Sequence, residues 1–449
     1  MTTHEHDTAG SATAPTEHVV VVGAGFGGLT LIRELARKRR RGAPVEVTVI
    51  DRNNHHTFQP LLYQVATAGL QPQDIGVSLR AILRRHEGVH VRLGEVVGID
   101  HDALEVEMAD GGRVPYDRLV IAAGGQSEDL GIPGVAEHAF GLKWIPDAIA
   151  LRNHVLRRFE LASARPEHRH DGTLTFVIAG GGPTGVELAG TLAELVDLVL
   201  RRDHPELDVD NVRIVLAEPM EQLLTGFSEA SGREALLALQ QRGIDVRLGV
   251  GVARADAGQV QLTDDEVIPT ATLVWAAGIS AAPLADVVGV ELGRGRRIPV
   301  DGQLRVEGLA RVHAIGDIAA SLDRDGQPLP QLAPVAIQQA RYVADLVVAE
   351  AEGSTRKPFR YRDKGSMATI GRLDAVAELP GRIRLRGVVA WIAWLVLHLF
   401  MLVGFKNRVG VLGNWVWNYV TYDHSARLIL EQDAQAGDLA EPEDTLKSS

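Results

Sequence analysis

The stretch Gly23-Ala24-Gly25-Phe26-Gly27-Gly28 sets glycines at the first, third and sixth places of a turn that follows the Val-rich run 18–22. Each glycine has its own task there. Gly23 permits a tight turn, Gly25 lets a pyrophosphate approach the backbone, and Gly28 lets helix and strand pack closely. The helical pattern 29–35 then points its N-terminus, with its N–H groups and positive dipole end, at that phosphate. Phe26 and Gly27 complete the turn. A chain with 47 glycines yields such a pattern by chance, so the company it keeps matters. The next strand-like run, 45–50, ends at Asp51, whose carboxylate suits the hydroxyls of an adenosine ribose. Together they predict a dinucleotide site.

The pattern recurs. Gly180-Gly181-Gly182-Pro183-Thr184-Gly185 follows the apolar run 175–179 and leads into a helical pattern, with Pro183 placed where a missing N–H costs nothing. Gly180, Gly182, Thr184 and Gly185 are the expected contacts. The partner strand 212–217 ends at Glu218, after an insertion that lengthens the usual spacing. A 2′-phosphate would face the Glu218 carboxylate, and 219–222 bring no cation, so NADH is preferred to NADPH. Small-residue turns accompany both units, Ala123-Gly124 after the strand 118–121 and Ala277-Gly278 after 272–275. A later strand ends in Gly316-Asp317, where the carboxylate could accept a hydrogen bond from a flavin ribityl chain or serve as a helix N-cap. Glu187 has two readings of equal weight: a charge favourable in the first turn of a helix, or a carboxylate beside the nicotinamide that places the ring or relays a proton.

Such sites need parallel βαβ units, and apolar runs of strand length do alternate with helical patterns from residue 18 to about 290. The fold class is α/β, with two Rossmann-like dinucleotide-binding domains and a C-terminal element. The expected division is a disordered tail over 1–16, a first dinucleotide-binding domain over 17–142 and 293–353, a second over 143–292, a C-terminal element over 354–431, and a disordered acidic tail over 432–449. A length of 449 residues agrees with two or three domains. The net charge of −12 and the lack of a basic stripe exclude a nucleic-acid partner. The cluster 37–41 reads as cations opposing the negative end of the first helix. With no cysteine, disulfides, thiolate nucleophiles and Cys-ligated metals are excluded, and no metal site is assigned.

Residues 388–405 carry only His398 as a polar side chain, bracketed by Arg382, Arg384 and Arg386 before and Lys406 and Arg408 after. Trp391, Trp394, Trp415 and Trp417 gather nearby. A membrane span needs about 20 apolar residues, and a core helix needs no flanking cations, whereas a helix lying in the interface explains both features. The second stretch, 411–420, could join it.

These motifs resemble the type II NADH dehydrogenases, single-subunit flavoproteins of the glutathione-reductase-like fold that oxidise NADH and reduce a membrane quinone without pumping protons. Beyond the glycines, the likeness rests on Phe58-Gln59-Pro60-Leu61-Leu62-Tyr63-Gln64-Val65-Ala66, on 314–317 and on 361–371, and it spans about 18–430. It implies FAD in the first site, NADH in the second, Glu187 at the nicotinamide and quinone side, and Lys364 near the isoalloxazine, against an ordinary surface salt bridge for that lysine. The family's Ala-Gln-x-Ala-x-Gln reads here Ala333-Pro334-Val335-Ala336-Ile337-Gln338-Gln339; Pro334 replaces the first glutamine and leaves Gln338 and Gln339 as quinone ligands. The implied setting is peripheral attachment to the cytoplasmic face of the cell membrane, with menaquinone or ubiquinone as acceptor and a homodimer compatible. Two rivals remain open: a soluble NADH:acceptor reductase of ferredoxin type on the same fold, and a flavin- and NADH-binding sensor with little turnover.

Overall fold

The computed structural model describes residues 16–421 and 426–430. The expected tails over 1–16 and 432–449 lie outside the described residues, Thr16 apart. The chain forms two compact units. Among the described residues, the first comprises those up to His56, Ser78–Gly125 and Ser280–Arg362; the second comprises Thr57–Val77, Gln126–Ile279 and those from Asp363 on.

In the first unit, five parallel strands lie in the order Val312–Ala314, Arg118–Ile121, Glu17–Val22, Val45–Asp51, Val89–Leu93. Val19, Val20 and Val21 are wholly buried, as a parallel sheet covered on both faces requires. The helices Phe26–Arg39 and Ala333–Ala351 pack together on one side. Arg37, Lys38 and Arg39 occupy the last turn of the former, as expected from the dipole. A three-stranded antiparallel sheet, Val96–Asp100, Glu105–Met108 and Arg113–Pro115, leads into the strand Arg118–Ile121.

The second unit repeats the plan. Its parallel order is Ala139–Phe140, Thr272–Trp275, Thr175–Ala179, Arg213–Glu218, Asp245–Leu248, and the antiparallel strands Val252–Asp256, Gln259–Leu262 and Val267–Pro269 precede Thr272–Trp275.

The C-terminal element belongs to this second unit. Its antiparallel strands are Ser366–Gly371, Asp374–Leu379 and Ile383–Arg386, and the first of them lies against the helix Pro183–Leu195, so closely that a side chain on Gly190 would strike the Ile370 carbonyl. Two helices follow, Gly387–Met401 and Phe405–Thr421. The linear division differs here for Thr57–Val77, which groups with the second unit: its helix Leu62–Ala66 packs on the helices Ile145–Ala164 and Pro183–Leu195, and the last helix is tied to it as well. Asn407 donates to the Gln73 and Asp74 carbonyls (2.7 and 3.0 Å), Asn414 to the Asp74 carboxylate (2.9 Å), and Asn418 to the Gly69 carbonyl (2.9 Å). Residues 354–362 stay with the first unit, where Phe359 N–H donates to the Gly302 carbonyl and Gln303 to that of Arg356.

Candidate functional site

The first glycine turn is forced by close approach. Gly23 has φ +98°, and a Cβ there would stand 2.5 Å from the Ala122 carbonyl oxygen; one on Gly28 would collide with the Gly23 carbonyl. Over Gly25 there is open space. Gly25 is the N-cap of the helix Phe26–Arg39 and brings no side chain to cap it, so the first-turn N–H groups look into that space. The Asp51 carboxylate underpins the turn, accepting from Ala24 N–H on one oxygen and Asn53 N–H on the other, each at 2.7 Å. Burial pushes its pKa up, against the pull of those two bonds. His56 holds the opposite edge through Nδ1 to the Ala24 carbonyl at 2.9 Å.

Gly124 has φ +72° and accepts from Ala282 N–H through its carbonyl, beside Ala123. Asp317 lies in the single turn Gly316–Ile318 that follows the strand Val312–Ala314. The N-cap of that turn is Ile315, so the capping role open to Asp317 from the sequence is not the one realised. Gln339, wholly buried, accepts from Gly316 N–H (2.7 Å) and donates to Ser321 (2.7 Å). Its amide is spent on shaping the Gly316-Asp317 turn. Gln338 is also engaged at both ends, with Arg362 N–H and the Arg362 carbonyl.

The second turn copies the first. Gly180 has φ +107°, with the Ala276 carbonyl oxygen 2.9 Å from where its Cβ would be; a Cβ on Gly185 would strike the Gly180 carbonyl; Gly182, the N-cap of Pro183–Leu195, faces open space. Glu218 accepts from Gly181 N–H (2.5 Å) on one oxygen and from Met220 N–H (2.9 Å) on the other. The two carboxylates therefore make the same pair of bonds, one to the residue after the first glycine and one two residues beyond themselves. Thr184 sits in the first turn of the helix, and Ala277-Gly278, with Gly278 at φ +76°, repeats the small-residue turn. These donor-lined cradles, each with an acid at its edge, Asp51 partly buried and Glu218 buried, fit a pyrophosphate and an adenosine ribose.

Glu187 stands one turn further along than a dipole-stabilising acid, and the first turn of its helix holds no acidic residue. The carboxyl is buried and turned toward the strand Ser366–Gly371, where Thr369 N–H donates to it at 3.3 Å. Desolvation raises its pKa from 4.5 to about 8, with smaller opposing contributions from the Thr369 N–H and the Trp394 indole. Around it the same unit gathers aromatic rings. Trp394 stacks on His398 (centroids 4.0 Å, 23°) and lies 6.3 Å from Tyr63 and 6.0 Å from Trp415. Phe58 meets His398 edge-on at 6.1 Å. Gln64 donates to the Tyr63 hydroxyl (3.0 Å) and accepts from the Trp415 indole (2.8 Å). Lys364 is exposed, and no carboxylate among the described residues pairs with it.

Sequence reasoning missed Trp394 and His398 as parts of this cluster and assigned the tryptophans to a lipid boundary. Trp394 and Trp415 are buried, whereas Trp417 is exposed. The available signal was His398 itself, a polar residue four places after a tryptophan in an otherwise apolar run.

A model of the pyridine nucleotide-disulphide oxidoreductases matches residues 17–340, and one of the NDH2 C-terminal domain matches 364–421. The chain is 38% identical to the type II NADH:quinone oxidoreductase Ndh of Mycobacterium tuberculosis, covering 95% of this chain and 93% of that one. It is 30% identical to the type II NADH:quinone oxidoreductase of Staphylococcus aureus, covering 81% and 90%. The structure of NDH2 from Plasmodium falciparum in complex with NADH superposes with a TM-score of 0.82 at 20% identity, over 93% of this chain and all of that one. A sulfide:quinone oxidoreductase from Aquifex aeolicus shares the fold with a TM-score of 0.68 at 19% identity. With two cradles of one build, a matching C-terminal domain and relatives that align over most of both chains, the chain belongs to the type II NADH:quinone oxidoreductases.

Proposed function

We infer that the protein oxidises NADH and reduces a membrane quinone through bound FAD, with FAD held by the Gly23–Gly28 turn and Asp51, and NADH by the Gly180–Gly185 turn and Glu218. The observation that carries this is the duplicated clasp, an acid bonded to its own glycine turn in both units. FAD, when bound, supplies the centre that accepts a hydride and yields two electrons. The chain's own residues bind, orient and handle protons. Asp317, Ala123 and Gly124 line the first site, and Ala277 and Gly278 the second. Lys364 is assigned a charge-balancing role near the flavin. Glu187, protonated up to about pH 8, holds the proton that a reduced quinone oxygen requires. Stopped-flow mixing tests the reading: NADH bleaches the flavin absorbance and a quinone analogue restores it. Slow bleaching, or no recovery with quinone, would sink the assignment and favour a sensor.

Glu218 also sets the choice of nucleotide. With the ribose held at this acid, a 2′-phosphate would face its buried carboxylate. Glu218→Arg is expected to lower the ratio of kcat/KM for NADH over NADPH by at least about tenfold. An unchanged ratio would remove Glu218 from the ribose site.

Attachment to a lipid surface follows from the last two helices. No helix among the described residues is long and apolar enough to cross a membrane. Yet Val389, Val396, Phe400 and Phe405 are 62%, 63%, 73% and 82% exposed, with Arg382, Arg384, Arg386 and Lys406 nearby in the chain. Apolar side chains on this scale, flanked by cations, suit an anionic bilayer surface on the side where NADH is present, the cytoplasmic one. Replacing Phe400 and Phe405 together by Ser removes about 3 kcal/mol or more of transfer energy. Partition onto anionic liposomes is expected to fall about a hundredfold, with flavin reduction by NADH unchanged; equal partition would overturn the assignment.

A further inference from the structure

Trp394 is 1% exposed, and its indole N–H, buried as it is, closes no hydrogen bond of full geometry. A buried donor left in that condition costs free energy, a cost that a role in another state of the protein would account for. Its helix, Gly387–Met401, and the helix Pro183–Leu195 that carries Glu187 both pack on the strand Ser366–Gly371, and the indole bears on the Glu187 carboxyl there, favouring its charged form. The ring cannot readily turn away. His398 stacks on it at 4.0 Å, and His398 Nδ1 bonds the Trp394 carbonyl at 2.8 Å, tying ring and backbone of the same residue; Tyr63 and Trp415 close two further sides.

We propose that Trp394 is a positioning residue whose indole N–H receives the negative charge left on Glu187 when that carboxyl gives its proton to a reduced quinone oxygen. In this step the Glu187 O–H bond breaks and a quinol O–H bond forms. The electron pair of the broken bond stays on the carboxylate. The two electrons of quinone reduction come from the flavin, and solvent later returns the proton to Glu187. Thr369 N–H and Trp394 N–H then grip the anion from two elements, as preset donors do wherever charge develops in a dry site. The inference rests on the reading of Glu187 as proton donor and adds to it.

The other groups around Glu187 do not supply this function. His398, its pKa lowered to about 4 by burial, is uncharged near neutrality. Tyr63 has its hydroxyl in the Gln64 bond. Glu194, two turns along the same helix, accepts from Arg372 N–H and feels the charges of Arg242 and Arg372.

The test is the pH profile of flavin reoxidation by a quinone analogue, measured on the FAD-loaded full chain as wild type, Trp394→Phe, His398→Leu and Glu187→Gln. Phe keeps a ring in place and removes only the N–H. Losing a donor to the anion makes the acid weaker, so the alkaline limb of Trp394→Phe is expected to move up by about one pH unit and reoxidation at neutral pH to slow by roughly threefold to tenfold. Flavin reduction by NADH stays unchanged. His398→Leu, which frees the tryptophan, moves the limb the same way by less and serves if the Phe variant does not fold. A merely structural Trp394 would alter stability and leave the limb in place. Limbs that coincide with wild type in both variants, while Glu187→Gln abolishes it, overturn this proposal alone. A wild-type profile with no alkaline limb removes the Glu187 reading and this inference with it.

Discussion

Glu187→Gln is expected to slow flavin reoxidation by quinone by about a hundredfold or more, the range in which a lost general acid falls, while leaving flavin reduction by NADH near its original rate. Gln preserves size and a hydrogen-bonding oxygen for Thr369 N–H, so the loss is one of chemistry rather than of shape. The wild-type rate should decline tenfold per pH unit above about pH 8, and that limb should vanish in the variant. Stability supplies an independent check on sign. The folded carboxyl holds its proton up to about pH 8, whereas an unfolded one releases it near 4.5. The wild type therefore loses stability as pH rises between those values, since above 4.5 the unfolded chain gains by ionising. Relative to wild type, Glu187→Gln should melt at a higher temperature at pH 8 than at pH 5. A variant that reoxidises normally, or a melting difference independent of pH, would contradict the placement of this group.

Gly28→Ala is the second large effect. A methyl there would run into the Gly23 carbonyl oxygen, a backbone atom that cannot swing aside. Gly23 in turn is pinned by its N–H to the Ile50 carbonyl at 2.8 Å and by the Ala122 carbonyl against its α-carbon. The helix Phe26–Arg39 must back away, carrying its first-turn N–H groups out of position for the phosphates. Purified Gly28→Ala is expected to carry less than about one tenth of the wild-type flavin and to melt several degrees lower, by the overpacking cost of roughly 1–3 kcal/mol. Fluorescence titration of the stripped protein with FAD measures the first effect. Full flavin content would show that the turn tolerates the methyl and that the close packing is not required.

Both cradles were legible because their parts are local. A glycine turn, the strand before it and the acid ending the next strand lie within about 40 residues of each other, and the repeat at 180–218 has no other ready cause. The family likeness read from those motifs is borne out by the relatives. What escaped reading depends on contacts far apart in the chain. Nothing local links Glu187 to Trp394, and a tryptophan in an apolar, Arg-flanked stretch has the same composition whether it meets lipid or a buried carboxyl. Gln339 reads as a ligand for quinone from its place in the family's glutamine motif; its bonds to Gly316 and Ser321 show up only once strand and helix are placed. Thr57–Val77 lies between two strands of the first sheet in sequence, and the helices that hold it in the second unit, Ile145–Ala164, Pro183–Leu195 and Phe405–Thr421, all come later in the chain.

The bonds of Asp51 and Glu218 to their own glycine turns are made wholly between groups of the chain itself. Each receptor is thus preorganised: its loop entropy is lost when the chain folds, not when a ligand arrives. Capture of either dinucleotide should accordingly proceed in a single fast phase with little change in backbone amide exchange at 23–28 or 180–185.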